Sequence, residues 1–261
     1  MQQQLVWAAG RPREEDNLLL AQSDTEAYFG RLGKAREFSQ RASDSAMRAE
    51  AAETAAQWYA HSAVREAEFG NGNEARQNAN AGLALVAGKD VRNLAALALA
   101  RAGDVAQAHE LAETLNADFP RNTIVQGYWL PAIRAAIEIH GKYGTRAVEI
   151  LRTAAPYELG QSQPFWAGMM YPVYLRGQAY LLTQQGPAAA AEFQKIIEHR
   201  GLVLNFPLGA LARLGLARAY AHQGDTAKAR SAYQEFLSLW KEADSDIPIL
   251  RQARAEYAKL Q

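Results

Sequence analysis

The sequence predicts an all-α fold: a right-handed α-solenoid of about six helix pairs, followed by a C-terminal capping helix. Three observations lead to this prediction. Alanine is abundant and β-branched residues are sparse, which favours helices over strands. Pro and Gly fall mostly between periodic apolar segments, where helices are expected to end. A helix-turn-helix pattern also recurs along the chain with a period of about 34 residues. Residues 1–261 are therefore expected to form a single domain.

The clearest copy of the pattern occupies residues 217–241. Its two helices are separated by Gly224-Asp225, in which Gly can adopt the positive φ of a helix end and Asp can cap the next helix. The pair Gly103-Asp104 stands at the equivalent place in an upstream copy. Because the same two residues recur at the same offset from apolar and Ala-rich segments, they predict two equivalent turns.

The remaining helix pairs are predicted from looser copies of this pattern. Residues 14–88 hold the weaker copies and residues 89–241 the clearer ones. Pro120 is expected to end the second helix of one pair, and Pro187 suits the first turn of another helix. The capping helix is expected over about residues 246–260, with Asp246 as its N-cap.

Composition excludes several classes of protein. The 28 Lys and Arg residues balance the 28 Asp and Glu residues, and no run of like charge suggests a nucleic-acid partner. The absence of Cys excludes disulfides, thiolate nucleophiles and zinc ribbons. No stretch approaches the roughly 20 apolar residues of a membrane span, so we expect a soluble segment without membrane insertion.

No catalytic or metal-binding motif is apparent, so we expect no enzyme activity, no metal and no cofactor. The five His residues are scattered over different segments without a His-x-x-x-His pair. Glu66 and Glu68 could be imagined as an acid/base pair, but charged helix faces in water are the simpler interpretation.

Several phrases carry a family resemblance. The helix-turn-helix units resemble the tetratricopeptide repeat (TPR) family. The phrases SDTEAYFGRLGKAREFSQRA, AAPYELG, YPVYLRGQAYL, AAEFQKIIEHRG and DIPILRQARAEYAKLQ are similar to the C-terminal TPR region of bacterial eukaryotic-like serine/threonine protein kinases, and of some winged-helix regulators. This resemblance implies a sensor or interaction module whose catalytic domain lies outside the chain. The segment would be extracytoplasmic if it is attached to a membrane-spanning kinase, and cytoplasmic otherwise.

The resemblance also implies a peptide-binding surface, because the first helix of each TPR pair lines the concave face. The positions that it places there mix aromatic, amide and charged groups. They are Asn17, Asp24, Tyr28, Gln57, Asn93, Arg101, Trp129, Tyr171, Tyr174, Gln178, Arg218 and His222. For Trp129, Tyr171 and Tyr174, packing between helices is an equal alternative.

These observations favour a non-catalytic scaffold that binds a protein or peptide. A second hypothesis is a sensor of small molecules or cell-wall fragments, with a pocket around Tyr157, Phe165, Trp166, Met169 and Met170, which cluster near a long connection. A homo-oligomer is possible, but the periodicity gives no information about it.

Overall fold

Every regular element that the structure describes is helical. The computed structural model describes residues 2–11, 13–160 and 169–261. The helices in this part of the chain are α1 (Gln2–Ala8), α2 (Glu14–Tyr28), α3 (Leu32–Arg48), α4 (Ala52–Phe69), α5 (Gly72–Leu85), α6 (Lys89–Arg101), α7 (Val105–Asp118), α8 (Leu130–His140), α9 (Gly144–Leu151), α10 (Tyr171–Leu182), α11 (Gly186–Glu198), α12 (Arg200–Val203), α13 (Leu208–His222), α14 (Thr226–Leu239) and α15 (Pro248–Ala258). The all-α prediction is confirmed.

Successive helices pack as pairs along the described chain. The pairs are α2 with α3, α4 with α5, α6 with α7, α8 with α9, α10 with α11, and α13 with α14. The first helices of the later pairs also contact one another in chain order, from α4 through α6, α8 and α10 to α13. Consequently these first helices form the interior. Because they pack side by side, their ends also lie close together.

The two Gly-Asp turns form as the sequence predicts. Gly103 and Gly224 both have positive φ, 83° and 74°. Asp104 caps α7 by accepting a hydrogen bond from the Gln107 N–H, and Asp225 caps α14 by accepting one from the Lys228 N–H. Each Asp therefore satisfies one of the backbone donors that a helix start leaves without an intrahelical partner.

The prediction for the start of the last helix is wrong. Asp246 does not cap α15, which begins at Pro248 and has Ile247 as its N-cap residue. Proline suits the first helical position because its missing N–H would have no partner there. The side chain of Ile247 is buried, and its burial holds the backbone at the start of α15, where an Asp cap was expected.

Close packing in the fifth and sixth pairs depends on two glycines. The ring of Phe193, on α11, lies between Gly177 of α10 and Gly215 of α13. A Cβ at Gly177 would come within 2.8 Å of this ring, and one at Gly215 within 2.5 Å. The absence of a side chain at both positions lets two first helices approach the same aromatic ring.

A π-helical turn, Val125–Trp129, precedes α8. The N–H of Leu130 donates to the carbonyl of Val125, and Pro131 follows without an N–H of its own. A proline inside a helix removes one backbone hydrogen bond, and the wider turn accommodates that loss. The turn directs Tyr128 and Trp129 into the core, where both are fully buried.

The C-terminal part of the chain packs back onto the N-terminal pairs. Trp240, just after α14, packs edge-on against Phe69 at the end of α4, and its indole N–H donates to the carbonyl of Tyr28 at 2.9 Å. Asp244 donates its backbone N–H to Gly30 and accepts the N–H of Gly33 on its side chain. The helix α15 also contacts α4. Residues near both ends of the chain thus share one packed region.

Candidate functional site

Five of the twelve residues that the sequence places on a binding surface are buried. They are Asp24, Asn93, Trp129, Tyr171 and Tyr174. For the three aromatic residues, packing between helices was an equal alternative, and the structure buries all three in the helical interior. Whether any of the twelve contacts a ligand stays a prediction.

The first helices meet in the centre through a buried ionic contact. Arg101 of α6 donates from Nε and Nη2 to the two carboxylate oxygens of Glu68 on α4, at 2.7 and 3.0 Å. The hydroxyl of Tyr171 on α10 donates to the same carboxylate at 3.3 Å. Burial, and next the negative charge of Glu68, raises the pKa of the Tyr171 hydroxyl well above its ordinary value. The phenol therefore stays protonated and serves as a donor that links three helix pairs.

Asp24 takes part in a second interior contact. Its Oδ1 lies 2.7 Å from Nε2 of His61, and the His61 ring packs edge-on against Phe206. Three further expected residues, Asn17, Tyr28 and Gln57, are half-buried on α2 and α4. None of these lines the large cleft described next.

The remaining four expected residues line one cleft of about 690 Å³. Arg101, Gln178, Arg218 and His222 come from α6, α10 and α13, and all lie toward the C-terminal ends of those helices. The turn after α8 and the last turn of α15 complete the wall, and apolar side chains such as Leu181 and Leu260 line it. Its volume falls in the range of about 300–1,000 Å³ that is usual for ligand pockets.

A polar cluster joins α13, α14 and α15 on one side of this cleft. The Glu256 carboxylate accepts hydrogen bonds from Arg218 Nε at 2.9 Å, from the Tyr233 hydroxyl at 3.0 Å and from Gln252 at 2.9 Å. Burial and then the Glu256 charge raise the pKa of the Tyr233 hydroxyl above its ordinary value. One turn after Arg218 on α13, Nδ1 of His222 lies 2.7 Å from Oε1 of Gln184.

The cleft offers both donors and acceptors to a ligand. Five helices, α6, α8, α10, α13 and α15, end at its wall, and each C-terminal end carries roughly half a negative charge. Lys142 and Lys259 supply positive charge, and neither has an ion-pair partner in the described ranges. Two buried atoms of the lining, Gln178 Oε1 and Arg218 Nη2, also lack a hydrogen-bond partner within the described chain.

Sequence reasoning missed the part of the cleft that does not come from first helices. Lys142 lies in a turn, Tyr233 on a second helix, and Glu256 and Lys259 at the end of the chain. The expectation considered only first helices, following the family resemblance. The available signal was weak: Glu256 lies one residue before Tyr257, which belongs to the apolar face of the closing helix, and so Glu256 stands at the edge of that face.

Of the five residues of the second hypothesis, the structure describes Tyr157, Met169 and Met170. The ring of Tyr157 packs against Gly127, and Met169 and Met170 are buried. Phe165 and Trp166 lie outside the described residues.

Two further properties of the described residues concern metal ions and membranes. No three His, Asp or Glu side chains there converge in a way that could hold a metal ion. None of the helices in those ranges is both long and apolar enough to cross a bilayer.

Comparison with known proteins adds no assignment: neither a protein-family model nor a curated protein matches the sequence.

Proposed function

We propose that this chain is a non-catalytic module that binds a protein or peptide partner in the cleft at the ends of its first helices. The observation that carries the proposal is the meeting of Arg101, Gln178, Arg218 and His222 in one open cleft of ligand-binding size. The family resemblance predicts these four residues from their positions on first helices, and they converge although they lie on three different pairs.

The chemistry of the cleft suits a peptide segment. A peptide backbone needs donors and acceptors side by side, and its side chains need apolar contact. The C-terminal ends of the helices offer acceptors, while Lys142 and Lys259 offer donors. Arg101 and Arg218 are already paired with Glu68 and Glu256, so Lys142 and Lys259 are the two lining cations left for a ligand, fewer than a polyanion such as nucleic acid engages.

The finer architecture belongs to the same proposal. We infer that the helix pairs are tetratricopeptide-like and that they wind as an α-solenoid whose first helices face inward. The packing of consecutive pairs, with contacts between neighbouring first helices, supports this inference. The assignment to a larger signalling protein of the serine/threonine kinase kind rests on the sequence phrases alone.

A selection experiment with random peptides tests the binding proposal. The full chain is used to enrich peptides from a phage-displayed library, and enriched peptides are measured by fluorescence anisotropy. Lys142→Glu and His222→Ala change exposed side chains of the cleft wall, so we expect each to weaken binding about ten-fold or more.

Matched controls use exposed residues away from the cleft. Lys34→Glu on α3 and His109→Ala on α7 make the same chemical changes outside the lining. Their affinities should equal that of the native chain. The proposal fails if no peptide is enriched, or if the control variants weaken binding as much as the cleft variants do.

A further inference from the structure

A second cavity, separate from the cleft, lies between α3, α4 and α5. It has a volume of about 200 Å³ and shares no lining residue with the cleft. Three serines, Ser39, Ser43 and Ser62, line it together with Arg36 and Arg65. Since one water takes up about 30 Å³, the cavity has room for a small solute with a few waters.

Arg65 is the unusual member of this lining, because its side chain is only 1% exposed and yet its charge is incompletely paired. Nη1 donates to the hydroxyls of Ser23 at 2.7 Å and Ser39 at 2.9 Å. Nη2 comes no closer than 3.8 Å to Glu66, and Nε has no hydrogen-bond partner in the described chain. Nε is itself buried, so Nη2 carries the unused donors that a solute in the cavity can reach.

The neighbouring carboxylate cannot supply the missing partner, because other groups already bind it. Glu66 accepts from Nε and Nη2 of Arg36 at 2.9 and 2.7 Å, and from Asn71 at 2.9 Å. The only other acidic residue of the lining, Glu74, is exposed, so solvent screens its charge. The lining therefore holds one more positive charge than unscreened negative charge, and the other carboxylate near Arg65, Asp24, lies outside the lining and contacts His61.

Two further donors in the lining are unused. Ser43 and Ser62 are buried residues whose hydroxyls make no hydrogen bond to the described part of the chain. Both hydroxyl oxygens keep accessible surface in the cavity that their residues line. Free hydroxyls beside an incompletely paired guanidinium form the donor set that oxyanions require.

We propose that this cavity binds a small oxyanion, a phosphate or carboxylate group, through Arg65 and the hydroxyls of Ser43 and Ser62. A bound oxyanion completes the charge pairing of Arg65, whereas a neutral polyol leaves the buried cation as it is. The proposal is independent of the peptide cleft, because the two sites share no residue.

Thermal unfolding of the full chain in increasing sodium phosphate tests this proposal. Sodium chloride of matched ionic strength is the reference, and sodium acetate in a parallel series distinguishes a carboxylate from a phosphate ligand. Phosphate also stabilises proteins by exclusion from their surface, but that effect does not saturate. We therefore expect a saturable rise in Tm with phosphate, with acetate, or with both.

The decisive comparison is with the Ser43→Ala/Ser62→Ala double variant, which leaves Arg65 and its other partners in place. Each lost hydrogen bond to a charged ligand should weaken binding about ten-fold or more. A Ser238→Ala/Ser245→Ala variant, with two exposed serines changed, should keep the native Kd. The proposal is overturned if the rise in Tm does not saturate, if the double variant responds like the native chain, or if glucose stabilises the chain while both anions have no effect.

Discussion

At the scale of single residues, the largest difference between prediction and structure is the burial of charged side chains on α4. Glu66 and Glu68 were expected on a helix face in water, and this interpretation is wrong, since both are buried. The carboxylate of Glu66 accepts two hydrogen bonds from Arg36, and the carboxylate of Glu68 accepts two from Arg101. These arginines lie 30 and 33 residues away in the sequence, on other helices. Charge patterns within one helix do not reveal partners at such distances. The flanking alanines and Val64, all buried, were the available sign that α4 has no water-facing side there.

Asp16 gives a prediction for the pH dependence of stability. Its Oδ2 accepts the Trp58 indole N–H at 3.1 Å, while Oδ1 is buried without a partner. Burial raises the pKa of this carboxyl above its ordinary 3.8, although the Trp58 hydrogen bond opposes the shift. The folded chain therefore binds this proton more tightly than the unfolded chain does. Above the ordinary pKa, the native chain loses stability as the pH rises and Asp16 ionises.

Asp16→Asn removes this titration and keeps an acceptor for Trp58. We expect the free energy of unfolding of the variant, minus that of the native chain, to increase between about pH 4 and pH 7. Urea unfolding followed by circular dichroism at several pH values measures this difference, in which the other titrating groups cancel. A difference that stays constant or decreases over this range would contradict the prediction.

Gly177 gives a prediction for packing. In Gly177→Ala the new methyl group would lie 2.8 Å from the Phe193 ring, which Gly215 confines from the other side. We expect a loss of about 1–3 kcal/mol in unfolding free energy, because overpacking exceeds the gain in helix propensity. Gly201→Ala is the control, since a Cβ there meets nothing within 4 Å. That control should be neutral or slightly stabilising in urea unfolding, and equal stability of the two variants would refute the packing argument.

At the scale of helices and turns, the sequence predicts those features that depend on neighbouring residues alone. The Gly-Asp turns before α7 and α14 form as expected, because both residues act on backbone groups within a few positions. The start of α15 was mispredicted because burial of Ile247 and the position of Pro248 are set by packing against α4. The candidate site was half predictable for the same reason. Its first-helix residues follow from repeat position, whereas Tyr233 and Glu256 depend on how α14 and α15 dock.

Trp240 gives a prediction for the packing of the C-terminal helices onto the N-terminal pairs. It is fully buried, packs against Phe69 and Phe236, and donates to the Tyr28 carbonyl. Trp240→Ala should lower the unfolding free energy by about 3–5 kcal/mol through the cavity it leaves. Trp7→Ala serves as the matched control because Trp7 is 52% exposed, and its effect should stay within about 0.5 kcal/mol. Similar losses for both variants in urea unfolding would show that Trp240 does not hold these elements together.

At the scale of the whole molecule, composition and periodicity predict the helical class but not the contact between the chain ends. The six pairs follow from the spacing of small and apolar residues, which each pair repeats. Nothing in that spacing shows that Gly30 and Asp244 meet, because the contact joins residues 214 positions apart and has no local signature. Five of the twelve expected surface residues are interior for a separate reason, the packing of the first helices on one another. The first helices turn toward one another, and Tyr171 reaches Glu68 instead of solvent.

The meeting of the two chain ends also has a consequence for how the protein is made. A ribosome releases α2 to α4 long before Trp240 and Asp244 exist, so the surface around Gly30 and Phe69 stays uncovered during most of synthesis. Closing so long a loop carries an entropic cost, and such non-local contacts form late in folding. We expect the nascent segment α2 to α4 to need protection from aggregation until Trp240 and Asp244 emerge, and the contact, once formed, to protect the helices that it joins from fraying.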